Sequence, residues 1–470
     1  MNSSAIVSYL GRALLLLAVA AIAPMIAALL ERDISGAVSF AFAALLMGFL
    51  GGGLYYASYR ESRDKEASGL REIILVLLAW WLIVPLFAGL PFVLDGMPFV
   101  DGWYEAVSAM TTTGAWINAA EARASDGGML WRAVLQSLGG LVSLAAAAAV
   151  FVRPQFLGVT TVTPPFSLGG ETAYLHTFNT ALRSFFPIYI ALSLFAAISI
   201  SIAGAPAIDA LVMGLSLMAS GGFIPKEGGL AAYQNSVLIF PVFLTMVLSG
   251  VNFILIVRIA DQRARLRDLR EKETRLFIIF ILLVGLLYWI STDSRNLALL
   301  PMQIFNAASI LSTNGFTMGV SPELVPVLVT AVIGGAAVST AGGIKIIRWI
   351  ITFGRARQEL WKLAHPHGVQ TETGTANELA VWIHFIAFTM LLALMVLMIT
   401  IFGHSLELAV TGAVAVISNA GPLISLAPGS FSDYAIFNSD LRIILALGMV
   451  LGRMELVVLL ALFNRTFWLR

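Results

Sequence analysis

The 470-residue chain contains no cysteine, which excludes disulfides, thiolate catalysis and cysteine-based metal sites. Charge is scarce as well: Asp, Glu, Lys and Arg make up 12% of the residues, against about 25% in soluble domains. Histidine is almost missing. Of His176, His365, His367, His384 and His404, only His365 and His367 are close, flanking Pro366 in a polar loop that reads more simply as solvated than as a metal site. Intramembrane enzymes need a nucleophile with a base, or a metal cluster, at membrane depth, and no His, Asp and Glu constellation of that kind is legible. What is abundant is apolar surface. Hydrophobic residues account for 59% of the chain and fall in long runs, the pattern of an all-α polytopic membrane protein.

The run at 13–30 is too long for a signal-peptide core and is followed at once by a second run at 34–58, so the two read as a retained helical hairpin. After a charged stretch at 60–72, one pattern recurs four times. A long apolar run leads to a short, half-polar segment, a glycine preceded by small polar residues, and a second long run. The units are 73–94, 101–110 and 129–152; 185–202, 207–218 and 237–257; 277–290, 297–311 and 324–351; 379–402, 405–417 and 443–463. The expected division is a hairpin at 1–60 and four repeats at 61–155, 156–262, 263–370 and 371–470. Repeats in membrane proteins usually surround a shared pathway.

The short segments cannot cross a hydrocarbon layer of about 30 Å, yet they are too apolar for open loops, so they read as re-entrant half-helices. Their turns are TTTG with Thr112, Thr113 and Gly114; SGG with Ser220, Gly221 and Gly222; TNG with Thr313, Asn314 and Gly315; and NAG with Asn419, Ala420 and Gly421. Glycine reaches positive φ without steric cost, so consecutive carbonyls can face one axis, where they replace the water around a permeating cation. Hydroxyls of Thr111, Ser312 and Ser418 can add ligands, and the helix C-termini contribute partial negative charge. Carriers of anions aim helix N-termini at their substrate, so the polarity here favours a cation.

Charge placement orients the chain. With ten spans, the side holding Arg60, Arg63, Arg71, Arg258 and Arg355 carries most of the basic residues and is cytoplasmic. The four turns then open to the exterior. That side has acidic residues in excess, including Asp95, Asp101, Glu105, Asp209, Glu227, Asp433 and Asp440, which either concentrate cations at the mouth or are ordinary loop residues. The doubly charged segment 258–275 reads as a solvated helix or as a docking surface for a cytosolic subunit.

The helix, turn, helix repeats, with STNGFTMG in the third unit and GGAAVSTAGGIK after it, resemble the TrkH/KtrB superfamily of potassium-uptake proteins across essentially the whole chain. The two additional N-terminal spans are those of its TrkH branch. The first turn carries Trp116 where the family usually has a small hydroxyl residue, and the fourth reads GPL, with Leu423, where a glycine commonly follows the proline. The resemblance implies a homodimeric K⁺-translocating subunit of the bacterial cytoplasmic membrane, not an enzyme. Its transported ion binds at the twelve turn residues named above. A cytosolic TrkA-type ring binds the regulatory nucleotide, and no nucleic acid is involved. It also places an intramembrane gate at 334–343, with Gly334, Gly335, Ser339, Thr340, Gly342 and Gly343; the alternative is a small-residue packing face. Arg453, inside the last run, is expected either to face the pore as a barrier to cations or to form an ion pair between helices; Glu455 lies on another face. A Na⁺- or H⁺-coupled carrier of another small solute is the alternative function.

Overall fold

In a bilayer every backbone N–H and C=O has to be paired within the protein, and an apolar run achieves that as helix. The computed structural model describes residues 3–63, 69–151, 174–261, 271–292, 296–365, 378–429 and 433–454, and every regular element among them is helical. Among the described residues seven helices are long and apolar enough to cross a membrane: Ser4–Leu30, Ile34–Ser58, Leu70–Leu94, Asp126–Val150, Tyr174–Ile202, Lys272–Ser291 and Leu379–Ile401. The all-α membrane class read from composition is therefore the observed one.

The remaining three expected runs depart from straight spans. The run at 237–257 bends by 104° between Ser236–Gly250 and Phe253–Ala260. The run at 324–351 is helical over Leu324–Ile333, breaks, and resumes as Ile346–Ala364. The last run is helical over Ser439–Arg453, and its remainder, with Glu455, lies outside the described residues. So does the stretch 262–270 of the charged segment at 258–275.

The N-terminal hairpin packs closely because it has no side chains at its crossing. A Cβ on Gly11 would lie 2.7 Å from the Tyr55 nitrogen, and one on Gly51 would lie 2.9 Å from the Gly11 carbonyl oxygen. Small residues at such a crossing let helix backbones approach, which in lipid is where packing energy comes from. In each repeat a short helix lies between the two spans: Phe99–Met110, Ala207–Met218, Leu300–Leu311 and Leu406–Ile417. All four have 12 residues. At 1.5 Å per residue that is roughly 18 Å, so each reaches about halfway through the hydrocarbon and ends there.

Candidate functional site: four helix ends in a ring

Each short helix ends in the same way. The residue two positions past its last one turns left-handed: Thr112 at φ 58°, Ser220 at 60°, Thr313 at 57° and Asn419 at 51°. The next residue, Thr113, Gly221, Asn314 or Ala420, donates its N–H to the carbonyl of Ser108, Ser216, Ser309 or Ala415, at 2.9, 2.8, 2.9 and 2.8 Å. A helix-terminating bond of this kind pairs a carbonyl that the helix leaves free. A left-handed non-glycine residue costs roughly 1–2 kcal/mol. Four at equivalent positions mean that the surroundings enforce the shape.

Glycine follows at the third position, with positive φ at Gly114 (73°), Gly222 (67°) and Gly315 (80°). Gly421 departs from the expectation, since it is not among the positive-φ residues and opens the short helix Gly421–Leu426. The cause is Pro422: the residue before a proline is pushed toward extended φ. Gly421 also donates its N–H to the Thr113 carbonyl at 2.6 Å, and its carbonyl accepts from the Tyr434 hydroxyl at 2.9 Å.

The four turns close a ring. A Cβ on Gly114 would collide with the Gly221 carbonyl, and one on Gly222 with the Asn314 carbonyl. On Gly315 it would lie 3.1 Å from the Ala420 carbonyl oxygen, and on Gly421 2.6 Å from that of Thr113. Each third-position glycine thus abuts the second-position carbonyl of the next repeat, in the order one, two, three, four and back to one. All twelve residues are buried. Several of their polar atoms have no hydrogen-bond partner among the described residues: Thr112 Oγ1, Asn314 Oδ1, Asn419 Oδ1 and, beside them, Ser418 Oγ. A buried oxygen without a donor is costly unless a ligand or water completes it. Oxygens of this kind, with four helix C-termini carrying roughly half an electron charge each, fit a dehydrated cation. Among the described residues no group of three His, Asp or Glu could hold a metal ion by side chains alone.

The turns are held by Ser108, Ser216 and Gln136, which the sequence reading did not select, and by Asp101 and Glu105, which it assigned to the acidic outer surface. Ser108 Oγ accepts from Ala115 N at 2.7 Å and Ser216 Oγ from Phe223 N at 2.8 Å, the same bond in the first two repeats. Gln136 Nε2 donates to the Gly221 carbonyl at 3.4 Å. Glu105 accepts from Ile117 N at 2.7 Å and pairs with Arg132 at 2.8 Å, both side chains at most 4% exposed. Asp101 pairs with Arg442 at 2.7 Å. Asp101 and Glu105 are therefore removed from the acidic surface expected at the mouth: both are buried and neutralised. Asp95, Glu227 and Asp440 are exposed. Trp116 is 8% exposed and stacks on Phe223 with ring centres 4.9 Å apart, and the Arg123 guanidinium covers its other side at 4.5 Å. Burial lowers the pKa of Arg123 from the ordinary guanidinium range, against the pull of Glu227 and Asp433.

Beneath the ring lies the broken segment of the third repeat, bounded by Gly334 (φ 73°) and Gly343 (φ 74°). Thr340 Oγ1 is 2.8 Å from the Ser220 hydroxyl and 3.0 Å from the Met218 carbonyl oxygen. Gly342 N donates to Thr313 Oγ1 at 2.8 Å. The segment is also bonded to the bend of the second repeat, where Ala336 N donates to the Gly250 carbonyl at 2.9 Å and Phe253 N to that of Val338 at 2.6 Å. Ser339 and Gly335 face the same side: a Cβ on Gly335 would lie 3.0 Å from Ser339 Oγ. Glu273 accepts from Ala337 N at 2.6 Å and from Asn252 Nδ2 at 3.3 Å. Arg453 donates to the Thr340 carbonyl and to Ser143 Oγ, both at 2.7 Å. A small cavity of about 40 Å³ joins Arg453, Lys345 and His384 beside this segment.

A family profile described as TrkH, a cation transport protein, matches residues 94–463. The chain belongs to the TrkH family. Over its whole length it is 28% identical to the Trk system potassium uptake protein TrkH of Salmonella typhimurium and 27% identical to that of Escherichia coli K12, in each case covering all of the relative. The E. coli protein TrkG is 23% identical, with 95% of this chain and 94% of that one matched. The crystal structure of the potassium transporter TrkH from Vibrio parahaemolyticus superposes with a TM-score of 0.86 at 26% identity, covering 100% of both chains. The resemblance seen in STNGFTMG and the glycine-rich segment is thus a family membership.

Proposed function

We propose that this chain takes up potassium across the bacterial cytoplasmic membrane through a channel-like pore whose selectivity filter is the ring of four turns. The observation that carries the reading is the ring's closure, in which each third-position glycine meets the next repeat's second-position carbonyl. That contact fixes the spacing of the oxygens, and spacing with ligand number is what discriminates between cations. Thr112, Asn314 and Asn419 supply side-chain oxygens, and their unpaired atoms support a role as ligands. The names of the relatives support potassium as the cargo.

The segment 334–343 acts as the gate, with Arg453 holding it at the Thr340 carbonyl and placing a fixed positive charge below the filter. A TrkA-type cytosolic ring, which binds the nucleotide, moves it, and the protein works as a homodimer. The orientation of the basic residues supports a cytoplasmic partner.

The test is Rb⁺ or K⁺ uptake in cells that lack their own potassium importers, comparing the natural chain with Gly315→Ser. Gly315 suits the test because a Cβ there would press on the Ala420 carbonyl oxygen at 3.1 Å, where one on Gly114 or Gly222 would collide outright; the φ of 80° strains any side chain, so the elution profile of the purified variant is compared with that of the natural chain. The variant is expected to lose most uptake or its preference for K⁺ over Na⁺. Equal rescue by both chains would remove the filter assignment.

A further inference from the structure

A cavity of about 200 Å³ lies outside the ring, between the N-terminal hairpin and the first two repeats. Its walls include Leu10, Leu16, Val76, Trp80, Leu138 and Leu182. An apolar cavity of about 150 Å³ stays dry and accepts a molecule the size of benzene, so this one suits an apolar guest and not water. It opens sideways: Leu16 on its rim is 45% exposed, on a helix long and apolar enough to face lipid.

Its mouth is polar and basic. Arg12, Tyr9 and Asn179 line it. The Arg12 guanidinium is held 5.4 Å from the Tyr9 ring centre and 5.5 Å from that of Tyr55, while Asn179 Nδ2 donates to the Tyr9 hydroxyl. Arg183 stands one helical turn beyond Asn179 on the helix Tyr174–Ile202, on the face that Asn179 presents to Tyr9. Both arginines are exposed, and no carboxylate among the described residues forms an ion pair with either. The helices that carry them begin about two turns earlier, at Ser3 and Tyr174, but the uninterrupted apolar runs, 13–30 and 185–202, begin after the arginines, and 18 residues at 1.5 Å each already fill a hydrocarbon layer of about 30 Å, which puts both guanidiniums at its boundary on the basic side. Two unpaired guanidinium groups at that level, above a slot lined by hydrocarbon, complement a phosphate that carries an acyl chain.

We propose that this cavity holds one acyl chain of an anionic phospholipid from the cytoplasmic leaflet, with the lipid phosphate bound between Arg12 and Arg183. The bound lipid then belongs to the seam between the hairpin and the pore repeats and fixes how the hairpin sits.

Native mass spectrometry of the full chain, released from detergent with defined lipids, tests this. Phosphatidylglycerol should be retained at one site per protomer in preference to phosphatidylcholine with the same chains, and glycerol phosphate, which has no chain, should not compete. Replacing both guanidiniums, Arg12→Gln with Arg183→Gln, should weaken retention of phosphatidylglycerol roughly tenfold or more while phosphatidylcholine binding stays the same. Ala13→Phe, which fills the slot and leaves the mouth intact, should remove the bound lipid and keep the elution profile of the folded protein. Unchanged retention in either variant overturns the proposal, and competition by glycerol phosphate at the strength of the lipid reduces it to an anion site without a chain and so overturns it as well.

Discussion

Tyr434 and Pro422 make the fourth turn unlike the other three. Proline forbids the left-handed glycine, and the tyrosine hydroxyl engages the carbonyl that the glycine would otherwise turn inward. Tyr434→Phe removes one buried hydrogen bond worth about 1 kcal/mol and frees that oxygen. The expected result is a small loss of thermal stability together with a changed ratio of K⁺ to Na⁺ uptake; an unchanged ratio means that the fourth carbonyl takes no part in selection. Glu105 is a second residue whose role is separable. Removing one partner of a buried ion pair costs about 3–5 kcal/mol, whereas replacing both with apolar residues is often neutral. Glu105→Ala should therefore lower the unfolding temperature in detergent sharply. The double change Glu105→Leu with Arg132→Leu should restore it without restoring transport, because Ile117 N then lacks its acceptor.

At the scale of elements, the broken helix of the third repeat and the bent helix of the second are one construction. A bend of 104° strands the carbonyls of Ser249 and Gly250, and the broken segment supplies Thr340 N and Ala336 N to them at 3.3 and 2.9 Å. Glu273 fastens that segment to the start of the helix Lys272–Ser291. Glu273→Ala should loosen it and raise the basal Rb⁺ flux of proteoliposomes in the absence of any partner; flux at the natural level would falsify the link between Glu273 and gating. Much here was legible in the sequence. Four polar interruptions of fixed kind mark the turns, and GGAAVSTAGG marks the break, because polar and glycine-rich stretches stand out against an apolar background. The bend at Gly250–Asn252 is not, since SGVN is short enough to leave the run at 237–257 apolar on average, and the backbone groups that pair with it, those of Ala336, Val338 and Thr340, are more than eighty residues away. For the same reason nothing in the sequence distinguishes Ser108 and Gln136 from ordinary helix residues, and Glu105 reads there as part of an acidic outer surface: which turn each of them reaches is a tertiary fact. Gly421 keeps its place in the ring but not the positive φ that the repeat pattern suggests, because a local rule, the restriction imposed by the following proline, overrides the repeat there.

At the scale of the whole molecule, the sequence reading expects basic residues on one side of the membrane and the open face of the ring on the other. The chain's lack of native cysteine makes that arrangement directly measurable. Glu227→Cys and Glu407→Cys, both at exposed positions, should react with a membrane-impermeant maleimide in intact cells, while Arg357→Cys should react only after permeabilisation. Labelling of Arg357→Cys from outside would invert the topology and with it the direction in which the ring opens.

The closed order of the four turns shapes how the proposed filter can change. A ring built by identical subunits receives every mutation in quadruplicate, so a tolerable change must be tolerable four times over. Here each quarter is encoded separately in one chain. A proline at position 422 or a tryptophan at 116 is present in single dose, and the three other quarters keep the geometry while one drifts. Because every turn leans on the next, the drift is checked only by its two neighbours, which makes the fourth and first turns, joined through Gly421 and Thr113, the seam at which ion preference can be revised without dismantling the rest.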